Sequence, residues 1–306
     1  MRGWFPKRWF DMQRFRSFVL PIAIVVGLLF HHYLAMAKPV VPFLIFSILF
    51  LNFSSVEVRT LRVRPLHWWL LAFQVFISLG GYLLLHPFNE LLAQGVLIGI
   101  ISPVAASVVV IACMLGADRS TITTYTLVGN FGVALLAPVY FSFIGINVAM
   151  PFWDSFLLIL SKIAPTLILP LVLSILLQLF APKVNGFVAR YKGLSFYLWS
   201  LALMITLGQT IDFIFLHGAG HIPEIIGLSV ASMLACAVQF AVGRAIGRHY
   251  GDTVSGGQGL GQRNTALAIW MSSMYLQPLA ATFPAMYSIW QNLYNSYQLW
   301  RKDREK

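Results

Sequence analysis

Ten apolar segments follow one another along this chain, each long enough, at about 20 residues, for one helix to cross the hydrocarbon core of a bilayer. They cover residues 18–37, 39–55, 67–86, 91–115, 120–145, 153–180, 195–216, 223–246, 254–276 and 278–300. Hydrophobic residues make up 58% of the 306 and charged residues only 10%, whereas a soluble domain carries ~25% charged residues. No polar stretch between the segments is long enough to form a core of its own. The sequence therefore predicts an all-α polytopic membrane protein with ten transmembrane helices.

The basic residues lie almost entirely on one side of the predicted membrane. Of the 21 Lys and Arg residues, 18 fall in the termini and alternate loops, Lys38 alone falls on the other side, and Lys162 and Arg263 lie within segments. Because Lys and Arg concentrate in cytoplasmic loops, we expect a multi-pass protein of the plasma (inner) membrane with both termini in the cytoplasm. Residues 1–17 then form a basic, aromatic cytoplasmic segment and residues 301–306 a cytoplasmic tail. The formal net charge of +11 is a topology signal and predicts no nucleic-acid partner.

The segments divide into two groups of five, residues 18–145 and 146–300, so a duplicated unit would insert in opposite orientation the second time. Inverted repeats are typical of secondary transporters, which bind substrate near the bilayer midplane where helices break. Segments four and nine occupy matching positions and both carry interruptions: Pro103 removes a backbone hydrogen bond, and the glycine run 257–261 weakens the helix. We expect the two interrupted helices to cross at half depth and to leave unpaired backbone groups facing a site.

Arg263 lies about ten residues into segment nine, which is ~15 Å deep at 1.5 Å per residue. Burying a guanidinium there costs at least ~2.5 kcal/mol, a cost that is best explained if something polar binds in the middle of the bilayer. A guanidinium can hold a carboxylate or sulfonate through two parallel hydrogen bonds, so the expected substrate is an organic anion. Two alternatives stay open: Arg263 binds the carbonyl groups of the broken helices, or its side chain extends toward the cytoplasm.

Other polar residues within the segments are candidates for lining the same site. The predicted substrate- or ion-binding set is Gln74, Ser102, Ser107, Asn130, Gln258, Gln262, Arg263, Asn264 and Thr265. Asp212 and Lys162 are candidate relays for protons or anions; alternatively, Asp212 is a solvated carboxylate near the interface and Lys162 extends outward to water. His-Glu metal motifs and a paired nucleophile and base are missing from the sequence. We therefore expect no enzyme, no catalytic residues, no metal site and no cofactor.

Several of these patterns, in their order along most of the chain, resemble the bile acid:sodium symporter family. The passage from Phe50 to Pro65 resembles the family's acidic–basic–Arg-Pro stretch, and Gln74 falls where the family carries a glutamine in its third helix. Ser102-Pro103 resembles the break in helix 4, Leu135-Leu-Ala-Pro138 the close of helix 5, and Asn264-Thr265-Ala-Leu-Ala268 the end of the helix 9 motif. The resemblance implies ten spans, an inverted five-plus-five repeat, crossed discontinuous helices 4 and 9, and alternating access between a core and a panel group of helices.

The chain departs from this family at the sodium ligands. The family pattern in helix 9 is Glu-x-Gly-x-Gln-Asn, whose Glu and Gln coordinate sodium, but Gly259 and Arg263 stand at those positions here. A guanidinium about 4 Å from a sodium ion would repel it by ~4 kcal/mol at an effective dielectric constant of 20. Our hypothesis is that Arg263 is a fixed cation and that the carrier is not sodium-coupled in the family's usual way. The alternatives are sodium coupling through other ligands, proton coupling, and a membrane scaffold or receptor that transports nothing.

Overall fold

The computed structural model describes residue 22 and residues 25–56, 61–105, 108–145, 151–217 and 219–304. Its helices are α1 (His31–Met36), α2 (Val41–Ser54), α3 (Pro65–Leu85), α4 (Glu90–Ile101), α5 (Val108–Met114), α6 (Arg119–Ile144), α7 (Phe152–Phe180), α8 (Pro182–Arg190), α9 (Leu194–His217), α10 (Ile222–His249), α11 (Thr253–Gly261), α12 (Thr265–Tyr275) and α13 (Thr282–Arg304). Short 3-10 turns lie at Lys38–Val40, Tyr191–Gly193 and Pro278–Ala281. Within the described ranges, extended pairing is limited to one isolated bridge, so the protein is all-α there.

The long helices follow the predicted apolar segments. Segments three, five, six, seven and eight each correspond to one helix, namely α3, α6, α7, α9 and α10. Among the described residues, four helices are long and apolar enough to cross a membrane, or five if α7, which bends by 42°, counts as one span. Pro165 and Pro170 lie inside α7, and a proline that removes a helix hydrogen bond explains such a bend. These helices define a membrane-embedded protein.

The other predicted segments lack a single long apolar helix, for visible reasons. Segments four and nine are each divided into two short helices, α4 with α5 and α11 with α12. Segment ten corresponds to α13, which is long enough but carries many amide and charged side chains. Segment two corresponds to α2, which has 14 residues. Segment one is described at residue 22 and residues 25–37, where residues 25–29 are helical and the six-residue α1 follows.

The helices pack in two groups. In the first group, α2 packs against α7 and α9, α1 against α9, and α8 against α2 and α7. In the second group, α10 packs against α11, α13 and α4, while α3 packs against α4 and α6. The groups meet where α6 packs on α7 and α9 packs on α12. A buried apolar cluster that includes Ile45 of α2, Leu97 of α4 and Met271 of α12 joins them.

The glycine run in segment nine is helical, contrary to the expectation that it would interrupt the helix. It forms the end of α11, and the backbone leaves the helix only at Gln262, whose φ and ψ are −98° and 111°. The glycines serve close packing instead: a Cβ on Gly256, just before the run, would overlap the carbonyl oxygen of Gly243 in α10, and a Cβ on Gly261 would overlap the Phe240 ring of the same helix. Small residues let membrane helices approach this closely. The interruption therefore begins immediately after the glycine run.

Candidate functional site: a helix crossover around Arg263

The two interruptions lie against each other and exchange backbone hydrogen bonds. Val104 and Arg263 form an antiparallel bridge. On either side of it, the Ala105 N–H donates to the Gln262 carbonyl at 3.0 Å and the Asn264 N–H donates to the Pro103 carbonyl at 2.8 Å. A backbone that leaves a helix inside a membrane must find such partners, because unpaired peptide groups are costly there. The crossing expected from the sequence is thus present as a two-residue pairing of extended chain.

Polar side chains complete the hydrogen bonding of this pairing. Asn130 of α6 accepts the Val104 N–H at 2.9 Å through its Oδ1 atom. Asn264 caps the amino end of α12 by accepting the Leu267 N–H at 3.2 Å. Gln74 of α3 donates from Nε2 to the last carbonyls of α4, those of Ile101 and Ser102, both at 2.9 Å. Three of the predicted site residues therefore satisfy the ends of the broken helices.

Arg263 is the largest side chain that the described protein buries completely, with 1% of its surface exposed. Its Nε donates to Gln239 Oε1 of α10 at 2.8 Å, and its Nη1 donates to the Ser102 carbonyl at 3.2 Å. Its backbone is held from α13, since Gln291 accepts the Arg263 N–H at 2.8 Å and donates to the Arg263 carbonyl at 3.1 Å. The guanidinium is therefore fixed at the end of α4, between α10 and the chain that follows α11.

The guanidinium is not neutralised by any acidic side chain among the described residues. The ion pairs there involve only Asp212 and Glu224, each with histidine. The Tyr125 and Tyr287 hydroxyl groups lie close enough to hydrogen-bond with the guanidinium, but they carry no opposite charge. A buried cation without an acidic partner attracts an anion.

Tyr125 fills the space next to Gly259. A Cβ on Gly259 would lie 2.7 Å from Tyr125 Cδ1, closer than side-chain atoms approach. The Tyr125 ring is itself buried, and its hydroxyl donates to Gln74 Oε1 at 3.1 Å. Any larger side chain at residue 259 would therefore overlap this aromatic ring.

The remaining predicted residues differ in how they contact the crossover. Gln262 donates from Nε2 to Gln258 Oε1, and Gln258 donates to Gln298 Oε1 of α13 at 3.4 Å. Ser102 contributes its carbonyl group to Arg263 while its hydroxyl bonds the Gly99 carbonyl at 3.1 Å. Thr265 is buried at the start of α12. Ser107 lies outside the described residues.

Asp212 is not in the contacts that build the crossover. Asp212 lies on α9 in the first helix group, where its Oδ1 is 2.7 Å from His31 Nδ1 and 3.7 Å from His32 Nδ1. The Asp212 side chain is only 14% exposed, so it is an ion-paired or hydrogen-bonded carboxylate rather than a fully solvated one. Lys162 lies in α7, and its side chain is outside the described part.

Four residues of the site were not predicted from the sequence: Gln239, Gln291, Tyr125 and Tyr287. Besides its bond to Arg263, Gln239 donates to the Tyr287 hydroxyl at 3.1 Å, and that hydroxyl donates to the Gly261 carbonyl at 2.9 Å. A usable signal existed for Gln239, because it is the one amide side chain in the apolar body of segment eight. The two tyrosines carried no comparable signal, since aromatic residues are abundant in this chain.

The described residues define an all-helical, membrane-embedded protein in which two interrupted helices cross at a buried arginine. A scan against protein-family models finds no match for the chain, and a search of curated proteins finds none either. The resemblance to the bile acid:sodium symporters therefore rests on sequence motifs, and a function must be inferred from the crossover itself.

Proposed function

We propose that the protein is a secondary active transporter of the bile acid:sodium symporter type, with ten spans arranged as an inverted five-plus-five repeat. It moves a small organic anion by alternating access between the two helix groups. The anion binds at the crossover, where helices end inside the protein, as in other secondary transporters. Arg263 takes the place of the bound coupling cation.

One observation carries this proposal: the guanidinium of Arg263 is fully buried at the crossover and has no acidic partner among the described residues. Chains rarely bury a charge without compensation, because transfer of an ion into a low-dielectric interior is expensive. An anionic cargo supplies the missing charge during each transport cycle.

The surroundings of Gly259 support a carrier that does not use sodium in the family's usual way. Tyr125 occupies the volume that a glutamate at residue 259 would need. The guanidinium of Arg263 would repel a sodium ion about 4 Å away by ~4 kcal/mol at an effective dielectric constant of 20. A cation that is covalently part of the chain keeps the crossover charged without consuming an ion gradient.

The experiment that tests this proposal is flux into proteoliposomes that contain the purified protein. Radiolabelled benzoate, pyruvate and taurocholate serve as probes of carboxylate and sulfonate transport, each with sodium or potassium outside and the membrane potential clamped. We expect uptake of at least one anion above empty liposomes, at the same rate in both salts, and loss of that uptake in R263Q. Uptake that requires sodium at constant potential would overturn the uncoupled mechanism. Uptake of none of a broad anion panel by folded protein would overturn the transporter itself.

A further inference from the structure

Helix α8 and the 3-10 turn that follows it carry apolar and basic residues on adjacent exposed faces. Val184, Phe187 and Tyr191 recur at a spacing that places them on one side of a helix, and they are 51%, 57% and 52% exposed. The Phe187 and Tyr191 rings pack edge to face with centroids 5.1 Å apart. No residue of α8 is buried. An apolar stripe of this kind requires a partner outside the described chain.

The orientation of α8 is set by its contacts with the first helix group. After α7 ends, Pro182 begins the new helix, and Asn185 then donates from Nδ2 to the Ser54 carbonyl at the end of α2, at 3.0 Å. Gln178, near the end of α7, donates to the neighbouring Phe53 carbonyl at 3.2 Å. The Asn185 face is thus held against the protein, and the apolar stripe points away from it.

The charges next to the stripe are all positive. Lys183 and Arg190 are seven residues apart and flank the stripe on one side, and Lys192 follows in the adjoining 3-10 turn. No acidic residue occurs between Asp154 and Asp212, and these three basic side chains form no ion pair in the described part of the chain. They belong to the side of the sequence that carries the large excess of Lys and Arg. An exposed apolar stripe bordered by unpaired cations is complementary to anionic headgroups above an acyl region.

We propose that α8 lies in the membrane interface and binds anionic phospholipids through Lys183, Arg190 and Lys192, with Val184, Phe187 and Tyr191 inserted below the headgroups. This surface anchors the first helix group to one leaflet. The inference concerns a lipid site distant from Arg263 and does not depend on what the crossover transports.

The depth of α8 can be measured in the full chain in nanodiscs. A nitroxide is attached at F187C in a C113A/C236A background, and collisions with lipid-soluble oxygen and with a water-soluble nickel complex are compared. G186C is the matched control, because a Cβ on Gly186 meets nothing within 4 Å and points about 100° away around the helix. In phosphatidylglycerol bilayers we expect position 187 to favour oxygen and position 186 to favour nickel. Equal nickel accessibility at both positions would overturn the proposal.

The role of charge is tested with K183Q/R190Q/K192Q and with spin-labelled phosphatidylglycerol and phosphatidylcholine. The preference of the protein for the anionic lipid should fall by about fivefold for each charge removed, as expected for a basic residue at an anionic surface. R301Q/K302Q/R304Q removes the same charge from the end of α13 and should leave the depth at position 187 unchanged. An unchanged depth and lipid preference in the α8 variant would overturn the proposal.

A further control distinguishes a lipid headgroup from free phosphate as the bound anion: inorganic phosphate is added to nanodiscs of phosphatidylcholine alone. We expect no insertion of position 187 under these conditions, because free phosphate supplies charge without an acyl region. If phosphate alone reproduced the oxygen accessibility seen with phosphatidylglycerol, α8 would be a phosphate site and the lipid assignment would be wrong. Gel-filtration profiles that match the parent chain show that each variant is folded.

Discussion

Replacing Arg263 with glutamine separates a transport role from a structural role, because the structure predicts different results for the two. Gln is shorter and neutral, so R263Q removes the buried charge and the guanidinium donors together. R263K is the matched control, since it keeps the charge but lacks the planar fork that binds carboxylates with two hydrogen bonds.

The expected change in stability is small because two terms oppose each other. R263Q leaves Gln239 Oε1 without its donor, which costs ~1–3 kcal/mol, whereas the Ser102 carbonyl keeps its 2.9 Å bond from Gln74. Against this loss, removing an uncompensated buried charge relieves at least ~2.5 kcal/mol. The free energy of unfolding should therefore change by less than ~2 kcal/mol, or ~4 °C in Tm at the lower end of the usual conversion.

The expected change in transport is much larger. A charge-assisted hydrogen bond contributes ~1.5–3 kcal/mol, so kcat/KM for the anion should fall at least ~10-fold in R263Q, with R263K intermediate. The assay is initial-rate uptake in proteoliposomes, combined with thermal unfolding of the same preparations. Wild-type uptake by R263Q would refute the role of Arg263 in binding. Lost uptake together with a fall in Tm well beyond that range would show that the arginine only holds the crossover together.

Three further predictions concern the residues around the crossover and one helix end. G259E should lower the free energy of unfolding by ~1–3 kcal/mol through overpacking, and Y125A in the same chain should recover part of the loss in a double-mutant cycle. N130L should cost ~1–3 kcal/mol because it leaves the buried Val104 N–H unpaired, whereas N130D keeps the acceptor; chemical denaturation in detergent checks both pairs. Hydrogen bonds from the hydroxyl and the N–H of Thr121 hold the pKa of Asp118 below its usual 3.8. The Asp118 carboxylate therefore stabilises the fold at pH values above 3.8. This stabilisation is lost as the pH falls through the lowered pKa of the folded state. The difference in Tm between the wild type and D118A should accordingly shrink on acidification from about pH 7 to about pH 3.

The sequence predicts the all-α membrane class and the positions of the long apolar helices, but not the hydrogen-bond partners of the site; the ten spans and the repeat stay predictions. Apolar length determines where a membrane helix runs, and Pro103 marks the break in segment four because a proline removes a local hydrogen bond. Both signals depend only on residues that are close together in the sequence. The glycine run was misinterpreted, because glycine equally serves a helix break and close packing, and only Gly243 on the facing helix decides between them.

The partners of Arg263 could not be predicted because they come from distant parts of the chain. Gln239 is 24 residues away and the Ser102 carbonyl 161 residues away along the sequence. A glutamine in an apolar run indicates a buried polar contact but does not specify its partner. The ring of Tyr125 packs against Gly259 from another helix, and a single sequence contains no record of such a contact.

In the proposed transporter, a covalently fixed cation has a consequence for the transport cycle that a dissociable sodium ion does not have. With a monovalent anion bound, the moving site is electrically neutral, whereas the empty site carries the full charge of Arg263. Moving that charge across a membrane potential of 100 mV changes its free energy by ~2.3 kcal/mol. Return of the empty carrier should therefore be slow and voltage-dependent, and exchange of one anion for another should be fast and independent of voltage. Liposomes preloaded with unlabelled substrate should take up labelled substrate faster than empty ones, and only the empty ones should respond to an imposed potential. Equal rates with and without internal substrate, at every potential, would mean that Arg263 does not move with the anion as its counter-charge.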